Sequence, residues 1–484
     1  MDPSAISRRT FLGAPAALTA RAASRRPNIL LITADDLGLN LSCYGETRFK
    51  TPHIDRLAAS SVQFRTAYIT QASCSPSRSS IFTGTHPHTN GQYGLANTGF
   101  SLHPQLRTQT IPALLQKAGY KTSILGKLHV EPEDCFPWDA PRKGGPDMRR
   151  VRDVAQRAAS IFEQFKDGPF FLMVNYSDPH AFRREPNRNI WYFPPQVDGL
   201  PENPLPPGPS AVWEWQQTDS PEQRDRVANY FNAIRRLDDG IGMLMSALEK
   251  ARLAENTLII FLGDNGPPFD RGKTTCYESG VRTPFLVRWP GVSKPGRSEA
   301  LVSAVDILPT ILDAAGLSIP PHVEGRSLRP VLGGKAGPWR QYLAAEFHCH
   351  GAGNFFPRRA VQDGRWKLIR NLLAGKARPP LGIDGDLGYK LSRDPRYESH
   401  PLRAAFDTYA NPPEYELYDL KTDPHEFRNL AGAPEHAAAE KRMRDALEQW
   451  RKETKDPFLD AAYTEKVAKL SAQERKGDSW RPAW

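Results

Sequence analysis

The sequence predicts an α/β protein: a large doubly wound, mostly parallel sheet, closed by a smaller C-terminal α+β subdomain carrying an antiparallel sheet. Three observations predict it. First, four short runs are apolar almost from end to end: residues 28–33 (NILLIT), 122–126 (TSILG), 169–176 (PFFLMVNY) and 257–262 (TLIIFL). Continuous apolarity over so few residues marks strands buried on both faces, as in a parallel sheet. Second, helical segments stand between these runs, and alternating β and α units give right-handed crossovers. Third, from about Trp339 the pattern shifts to a hairpin, a further strand and a closing helix.

Each of the four runs ends in polar residues: Asp35 and Asp36, Lys127 and His129, Asp178 and His180, Asp264 and Asn265. Ligands of open parallel sheets bind beyond the carboxyl ends of the strands, so this end is the candidate active site. The clearest helix runs from Ser220 to about Leu253. Ser220 is its N-cap, Pro221 suits the first turn and Gln223 completes a capping box. Val227, Tyr230, Phe231, Ile234, Leu237, Ile241, Leu244, Met245 and Leu248 recur three and four apart, a buried stripe without chemistry. Residues 110–118 and 149–165 read as further helices. Between Glu185 and Pro221 prolines crowd around Trp191, Trp213 and Trp215. A long loop of this kind in a compact domain is expected to form a lid or rim over the site. Residues 360–369 read as a hairpin turning at Asp363-Gly364, 415–420 as a strand and 433–454 as the closing helix. The expected organisation is a catalytic domain over 25–335, a C-terminal subdomain over 336–460 and a tail over 461–484.

The chain of 484 residues is long enough to bury about three quarters of its unfolded surface, so it needs no disulfide scaffold. Hydrophobic residues at 39% and charged residues at 24% exclude a disordered, fibrous or coiled-coil protein. No apolar run approaches the roughly 18 residues of a transmembrane helix. The net charge of +10 favours a polyanionic partner. No basic block interleaved with aromatics supports a nucleic-acid groove, and nucleic acid is not an expected partner. The five cysteines are widely spaced without a CxxC pair, which argues against a cysteine zinc site. At the N-terminus Arg8-Arg9 precede a weakly apolar stretch, and Ala20-Arg21-Ala22 offers a cleavage site. Residues 1–24 read as a twin-arginine (Tat) export signal, with the Tat machinery as partner and a periplasmic or extracellular destination.

The decisive run is Cys74-Ser75-Pro76-Ser77-Arg78, followed by Thr83-Gly84. On its residues alone it is a cysteine on a turn, with an arginine four positions on; a lone cysteine is ordinarily a small buried hydrophobe. The run resembles the maturation motif C-x-P-S-R of the formylglycine-dependent (type I) sulfatases of the alkaline-phosphatase superfamily, with Phe82 where leucine is usual. The resemblance implies that a formylglycine-generating enzyme oxidises Cys74 to formylglycine before folding. It implies a metal site of Asp35, Asp36, Cys74, Asp264 and Asn265. The family's metal is calcium, which hard oxygen donors suit. It implies a catalytic set of Cys74, Arg78, Lys127, His129, His180 and Lys273. Lys127 and His129 match a G-K-x-H element, His180 ends Ser177-Asp178-Pro179-His180, and Lys273 stands nine residues after Asp264. In the implied reaction one hydroxyl of the hydrated aldehyde attacks sulfur, and His180 or Lys273 protonates the leaving group. His129 then takes the proton of the second hydroxyl and sulfate is expelled. A sulfuryl transition state spreads negative charge, which preorganised cations stabilise.

Within the family the pattern is most similar to the heparan N-sulfatases (sulfamidases). The features are Ser177 to His180 with its Pro-rich insertion, Gly263-Asp264-Asn265-Gly266-Pro267-Pro268-Phe269, Phe355-Phe356-Pro357-Arg358-Arg359, Glu416 to Asp419 with Asp423 to Glu426, and Glu453 to Pro457. This implies a sulfated glycan substrate of the glycosaminoglycan type, cleaved at a sulfamate or sulfate ester. Residues 346–348 and 356–359 would line the sugar pocket, with His348 and Arg359 as substrate-binding candidates and Arg359 as a fork for a carboxylate or second sulfate. The alternatives are an O-sulfatase on another sulfated polysaccharide, a formylglycine-dependent phosphodiesterase or phosphonate hydrolase, and a sulfoglycan-binding pseudo-enzyme. The all-oxygen metal set argues against the phosphoryl enzymes. Retention of Cys74, Arg78 and every metal-site candidate argues against the pseudo-enzyme. The pairing of the other four cysteines is open.

Overall fold

The computed structural model describes residues 26–140, 147–185, 188–334, 339–351 and 355–474. Residues 1–24, read above as an export signal, lie outside the described residues. The central sheet comprises β1 (Asn28–Ala34), β2 (Val62–Phe64), β3 (Lys121–Gly126), β4 (Phe170–Tyr176), β5 (Thr257–Gly263), β6 (Phe285–Arg288) and β7 (Gly296–Ser298), in the order β7-β2-β6-β5-β1-β4-β3. Only β6 runs against its neighbours, so the sheet is mostly parallel as expected. The short strands β2, β6 and β7 carry too few residues to show a pattern in sequence.

Every residue of β1, β4 and β5 is buried. Alternation divides them between two cores. Ile29, Leu31, Phe171, Met173, Leu258 and Ile260 face one side. Leu30, Ile32, Leu172, Val174, Ile259 and Phe261 face the other. Each such side chain contributes about 1.5–3 kcal/mol by leaving water. The register brings the strand ends level: Ala34 pairs with both Tyr176 and Gly263, and Gly126 stands beside Asn175. The polar residues that follow therefore emerge side by side.

The long helix spans Pro221–Lys250, with the Ser220 side chain accepting from the Gln223 amide at 3.1 Å. The expected capping box is not completed. The Gln223 side-chain Nε2 donates instead to Gln216 Oε1 at 3.0 Å and Asp386 Oδ1 at 2.8 Å, because a C-terminal loop packs over the helix start. The other two expected helices are Ile111–Lys117 and Val151–Gln164.

The Pro-rich stretch divides in two. Its start is met by a hairpin, Phe182–Glu185 with Arg188–Tyr192, and the Trp191 ring lies 6.1 Å from that of His180. Its end is core: Trp213 stacks on Trp215 at 4.3 Å and packs edge-on against Tyr230, Phe231 and Phe269.

The C-terminal sheet is antiparallel, with β8 (Leu343–Phe347), β9 (Arg358–Gln362), β10 (Trp366–Asn371) and β11 (Tyr415–Asp419) in sequence order. Gly364 takes φ +89 in the hairpin turn, a conformation that favours glycine. Helix Ala437–Glu453 packs Met443 and Leu447 on Val361, Leu368 and Leu417. Of the stretch read as a tail, Ala461–Glu474 is a helix whose Val467 joins Phe458 and Tyr93 in a small core. All five cysteines are free thiols. Among the described residues no helix is long and apolar enough to cross a membrane.

Candidate active site

Cys74 opens the helix Cys74–Thr83, and its Sγ lies 3.4 Å from Asp35 Oδ1. The helix start carries partial positive charge, which suits an anion there. Arg78 stands one turn on, on the same helix face. It is fully buried and reaches Asp264 Oδ2 through Nε at 2.9 Å and Nη2 at 2.8 Å. Its Nη1 donates to the Lys127 carbonyl at 2.9 Å and to Asn175 Oδ1 at 3.0 Å. Arg78 thus ties together the ends of β3, β4 and β5.

Around it the acids and cations interleave. Lys127 Nζ lies 2.8 Å from Asp35 Oδ2. Lys273 Nζ lies 2.8 Å from Asp36 Oδ1. The Asp36 amide donates to Asp264 Oδ1 at 2.9 Å, and Asn265 Nδ2 donates to Asp36 Oδ1 at 2.7 Å. His180 turns Nδ1 to the Ala181 carbonyl at 2.5 Å, leaving Nε2 facing Asp36 Oδ2 at 3.7 Å. The glycines flanking Asp264-Asn265 permit this crowding. A Cβ on Gly263 would meet the Leu37 carbonyl oxygen at 2.2 Å, and one on Gly266 the Ser279 carbonyl oxygen at 1.9 Å.

The electrostatics follow the geometry. Burial raises the pKa of Asp35, but Lys127, His180, Arg78 and Lys273 outweigh it and hold the carboxyl well below its usual range. Burial and the neighbouring Asp35 push Asp264 up. Burial and Asp35 also push the Cys74 thiol up, so an unmodified thiolate is disfavoured here. His129 is lowered to about 2 by burial, Lys127 and Arg78. As a neutral imidazole it gains basicity only when an anionic group arrives beside it.

The donor set fits a hard cation. The ligand atoms of Asp35, Asp36, Cys74 and His180 lie within 4.8 Å of one another. Asn265 Oδ1, one residue after Asp264, is buried without a hydrogen-bond partner, which a cation would supply. Asp264 stands slightly back, its oxygens engaged by the Asp36 amide and Arg78.

The expected residues Asp35, Asp36, Cys74, Arg78, Lys127, His180, Asp264, Asn265 and Lys273 come together at one place. His129 stands at its edge, with Nε2 3.4 Å from Asn97 Oδ1. His348 and Arg359 do not join them, which corrects the expectation that they bind sugar. Arg359 is cross-strand from Glu346 and is fully buried, with Nε and Nη2 each 2.8 Å from an Asp456 oxygen. His348 is also buried, stacked on Tyr93 at 4.5 Å. Both side chains are shut in behind the segment 70–73, against which residues 346–350 run.

Several site residues carried no sequence signal. Asn175 lies inside a strand. Arg236 grips Asp178 at 2.7 and 2.8 Å, and Arg149 donates to the His180 carbonyl at 3.0 Å, fixing the turn that carries His180. From the C-terminal part come His350, with Nδ1 2.9 Å from Ser73 Oγ, and Asp384, with Oδ2 3.3 Å from Lys273 Nζ.

A cluster of acids and cations beyond the ends of parallel strands suits the binding of an anionic ester. The family comparisons narrow the class. Residues 27–317 match the sulfatase family model, and residues 268–377 match the model of the N-sulphoglucosamine sulphohydrolase C-terminal region. Human N-sulphoglucosamine sulphohydrolase is 33% identical, over 93% of this chain and 95% of that protein. An ulvan-active sulfatase of Formosa agariphila is 29% identical over 89% of this chain and 81% of its own. Among solved structures, a protein in complex with its substrate D-glucosamine-2-N,6-O-disulfate shares the fold, with a TM-score of 0.64 and 23% identity over 89% of this chain and 99% of that one. The chain belongs to the sulfatase family and is a hydrolase of sulfuric esters.

Proposed function

We propose that this protein is an exported, formylglycine- and calcium-dependent sulfatase that removes the N-sulfate of a glucosamine residue in a heparan-type glycan. One observation carries the reading: Cys74, in its maturation motif, sits at a helix start among the acidic cluster, with Arg78, Lys127, His180 and Lys273 converging on it. The likeness to human N-sulphoglucosamine sulphohydrolase supports the N-sulfated substrate. The twin-arginine motif supports export. Residues 25–335 act as the catalytic unit, and residues 336–460 contribute an outer wall through His350 and Asp384.

Asp35, Asp36, Asp264, Asn265 and the converted Cys74 would hold the metal. Calcium lends positive charge, and the formylglycine hydrate lends a nucleophile with a second hydroxyl that permits release of sulfate. The chain's own residues do the rest. Lys127 and Lys273 present ammonium groups to the sulfuryl oxygens. Arg78 holds Asp264 and the strand ends, so the nucleophile's surroundings do not reorganise during reaction. His180 Nε2 and Lys273 Nζ stand on the leaving-group side to donate a proton. His129, neutral in the free enzyme, accepts one once sulfate charge lies beside it.

The test is sulfate release by enzyme whose Cys74 conversion is confirmed by mass spectrometry. N-sulfoglucosamine and 6-O-sulfated N-acetylglucosamine are offered side by side. Release from the N-sulfated sugar alone supports the proposal, and release from the O-sulfated sugar alone overturns the substrate. Chelation should abolish the activity and calcium restore it.

A further inference from the structure

We infer that Asp384 is the residue that selects a sulfamate over a sulfate ester, by accepting a hydrogen bond from the substrate's nitrogen. The inference rests on the N-sulfatase reading above. Asp384 lies more than a hundred residues from the last of the four strand ends, on the loop Ile383–Gly385. Yet its Oδ2 sits 3.3 Å from Lys273 Nζ, with His180 and His350 also near enough to lower its pKa, so it adjoins both groups proposed above to protonate the leaving group. Its side chain is 8% exposed where that of Lys273 is 0% exposed, so the carboxylate is the member of the pair that reaches the open side.

The placement is over-determined. Asp384 adopts φ +48 and ψ +34. A non-glycine residue is disfavoured there, and persists only where its surroundings hold it. Arg226 holds it, donating to the Asp384 carbonyl at 2.6 Å and to the Trp191 carbonyl at 3.2 Å. Next to it Asp386 accepts from Gln216 and Gln223 and from the Asp270 amide. Asp270 in turn accepts from the Gly382 and Tyr389 amides and the Tyr409 hydroxyl. Two buried carboxylates therefore pin both flanks of an acid held against Lys273.

The chemistry of the two leaving groups separates them. A sulfamate monoanion and one water give a sulfate dianion and an alkylammonium. The S–N bond breaks, its electron pair stays on nitrogen, and the nitrogen ends with the added protons. The nitrogen bears hydrogen before cleavage and positive charge after it, and a carboxylate favours both states. The bridging oxygen of a sulfate ester bears no hydrogen and leaves as a neutral hydroxyl. A carboxylate beside it meets only lone pairs, which is a repulsive element against the wrong substrate.

The test compares wild type with Asp384→Asn, which tolerates the same backbone conformation, at matched formylglycine content. For N-sulfoglucosamine kcat/KM should fall about a hundredfold, and for 4-nitrophenyl sulfate it should hold within about threefold or rise. A second readout is product inhibition. Wild type should bind glucosamine, a cationic amine, better than neutral N-acetylglucosamine, and the variant should lose that preference. Equal losses on both substrates would make Asp384 a mere support for Lys273 and overturn the inference, as would an unchanged ratio. A wild type that cleaves only O-sulfate fails the functional proposal on its own account, and the glucosamine preference then still decides whether Asp384 receives an amine.

Discussion

Two regions of this molecule each bury an arginine against a carboxylate, and they do opposite things. At the carboxyl end of the central sheet Arg78 pairs with Asp264 at 2.8 Å. Behind the C-terminal sheet Arg359 pairs with Asp456 at the same distance, and all four side chains are fully buried. The second pair belongs to a network shut off from solvent, in which Arg359 Nε also lies 3.5 Å from Glu346 and Glu346 bonds His88. Asp456 also takes Arg451 at 2.8 Å and the Phe458 amide at 3.0 Å, while the Phe458 ring lies 5.0 Å from the Arg359 guanidinium. The first pair is left open. Asp264 adjoins two further acids and the unpartnered Asn265 Oδ1, and the side chains of Lys127 and His180 remain 28% and 20% exposed. Burial and pairing do not distinguish a site from a staple. Surplus charge and unmet bonding capacity next to solvent do.

That contrast breaks most readily at Cys74. Cys74→Ser should lose turnover by at least about a thousandfold or accumulate sulfated enzyme, because a serine ester has no second hydroxyl to expel sulfate. Intact mass and sulfate release read this directly, and normal turnover by the serine enzyme would refute the mechanism. At the other region, Arg359→Met should cost about 2–4 kcal/mol of stability, because Asp456 loses one of its two arginines and keeps only Arg451 and the Phe458 amide. The melting temperature should fall while kcat of the folded enzyme holds. A fall in kcat without loss of stability would return Arg359 to the site.

The same pair carries a pH signature. Burial raises the Asp456 pKa, but Arg359 outweighs it and depresses the carboxyl below its usual range. A depressed folded-state pKa stabilises above the unfolded value, so the gap between wild type and Arg359→Met should be flat near neutrality. It should shrink as pH falls from about 4 towards the depressed folded value, because the unfolded and variant carboxyls take up a proton before the wild-type pair does. Lys127→Met should lower kcat/KM by about a hundredfold to a thousandfold, the usual cost of removing one donor to developing charge, with little change in melting temperature. The smallest effect belongs to the scaffold shared by both regions. Ser220→Ala removes the cap of the long helix and should cost about 1 kcal/mol, read as a small drop in melting temperature with unchanged kinetics.

The central sheet was legible because its strands are continuous apolar runs and its site residues follow each run within four positions. Cys74 and Arg78 were legible as a contiguous motif, and Asp264-Asn265 through their flanking glycines. The Pro-rich segment was only half legible. Proline and tryptophan content signalled an unusual excursion, but nothing local separated Trp191 beside His180 from Trp213 in the core. Arg359 was misplaced because a strand residue shows its parity in sequence but not which face is inward, and His348, one residue past β8, showed no parity at all. Asp384 and His350 gave no signal, since their partners Lys273 and Ser73 are far along the chain.

By itself the sequence determined what depends on neighbours along the chain: strand and helix periodicity, the cap at Ser220, the maturation motif and the acid pairs at strand ends. The tertiary structure alone decided what depends on distance through space. The level register of β1, β4 and β5 makes one site from four loops. The inward face of the C-terminal sheet turns Arg359 into a staple. The pinned loop at Asp384 brings a carboxylate to a lysine more than a hundred residues away, because buried charges are satisfied by whatever the fold packs against them.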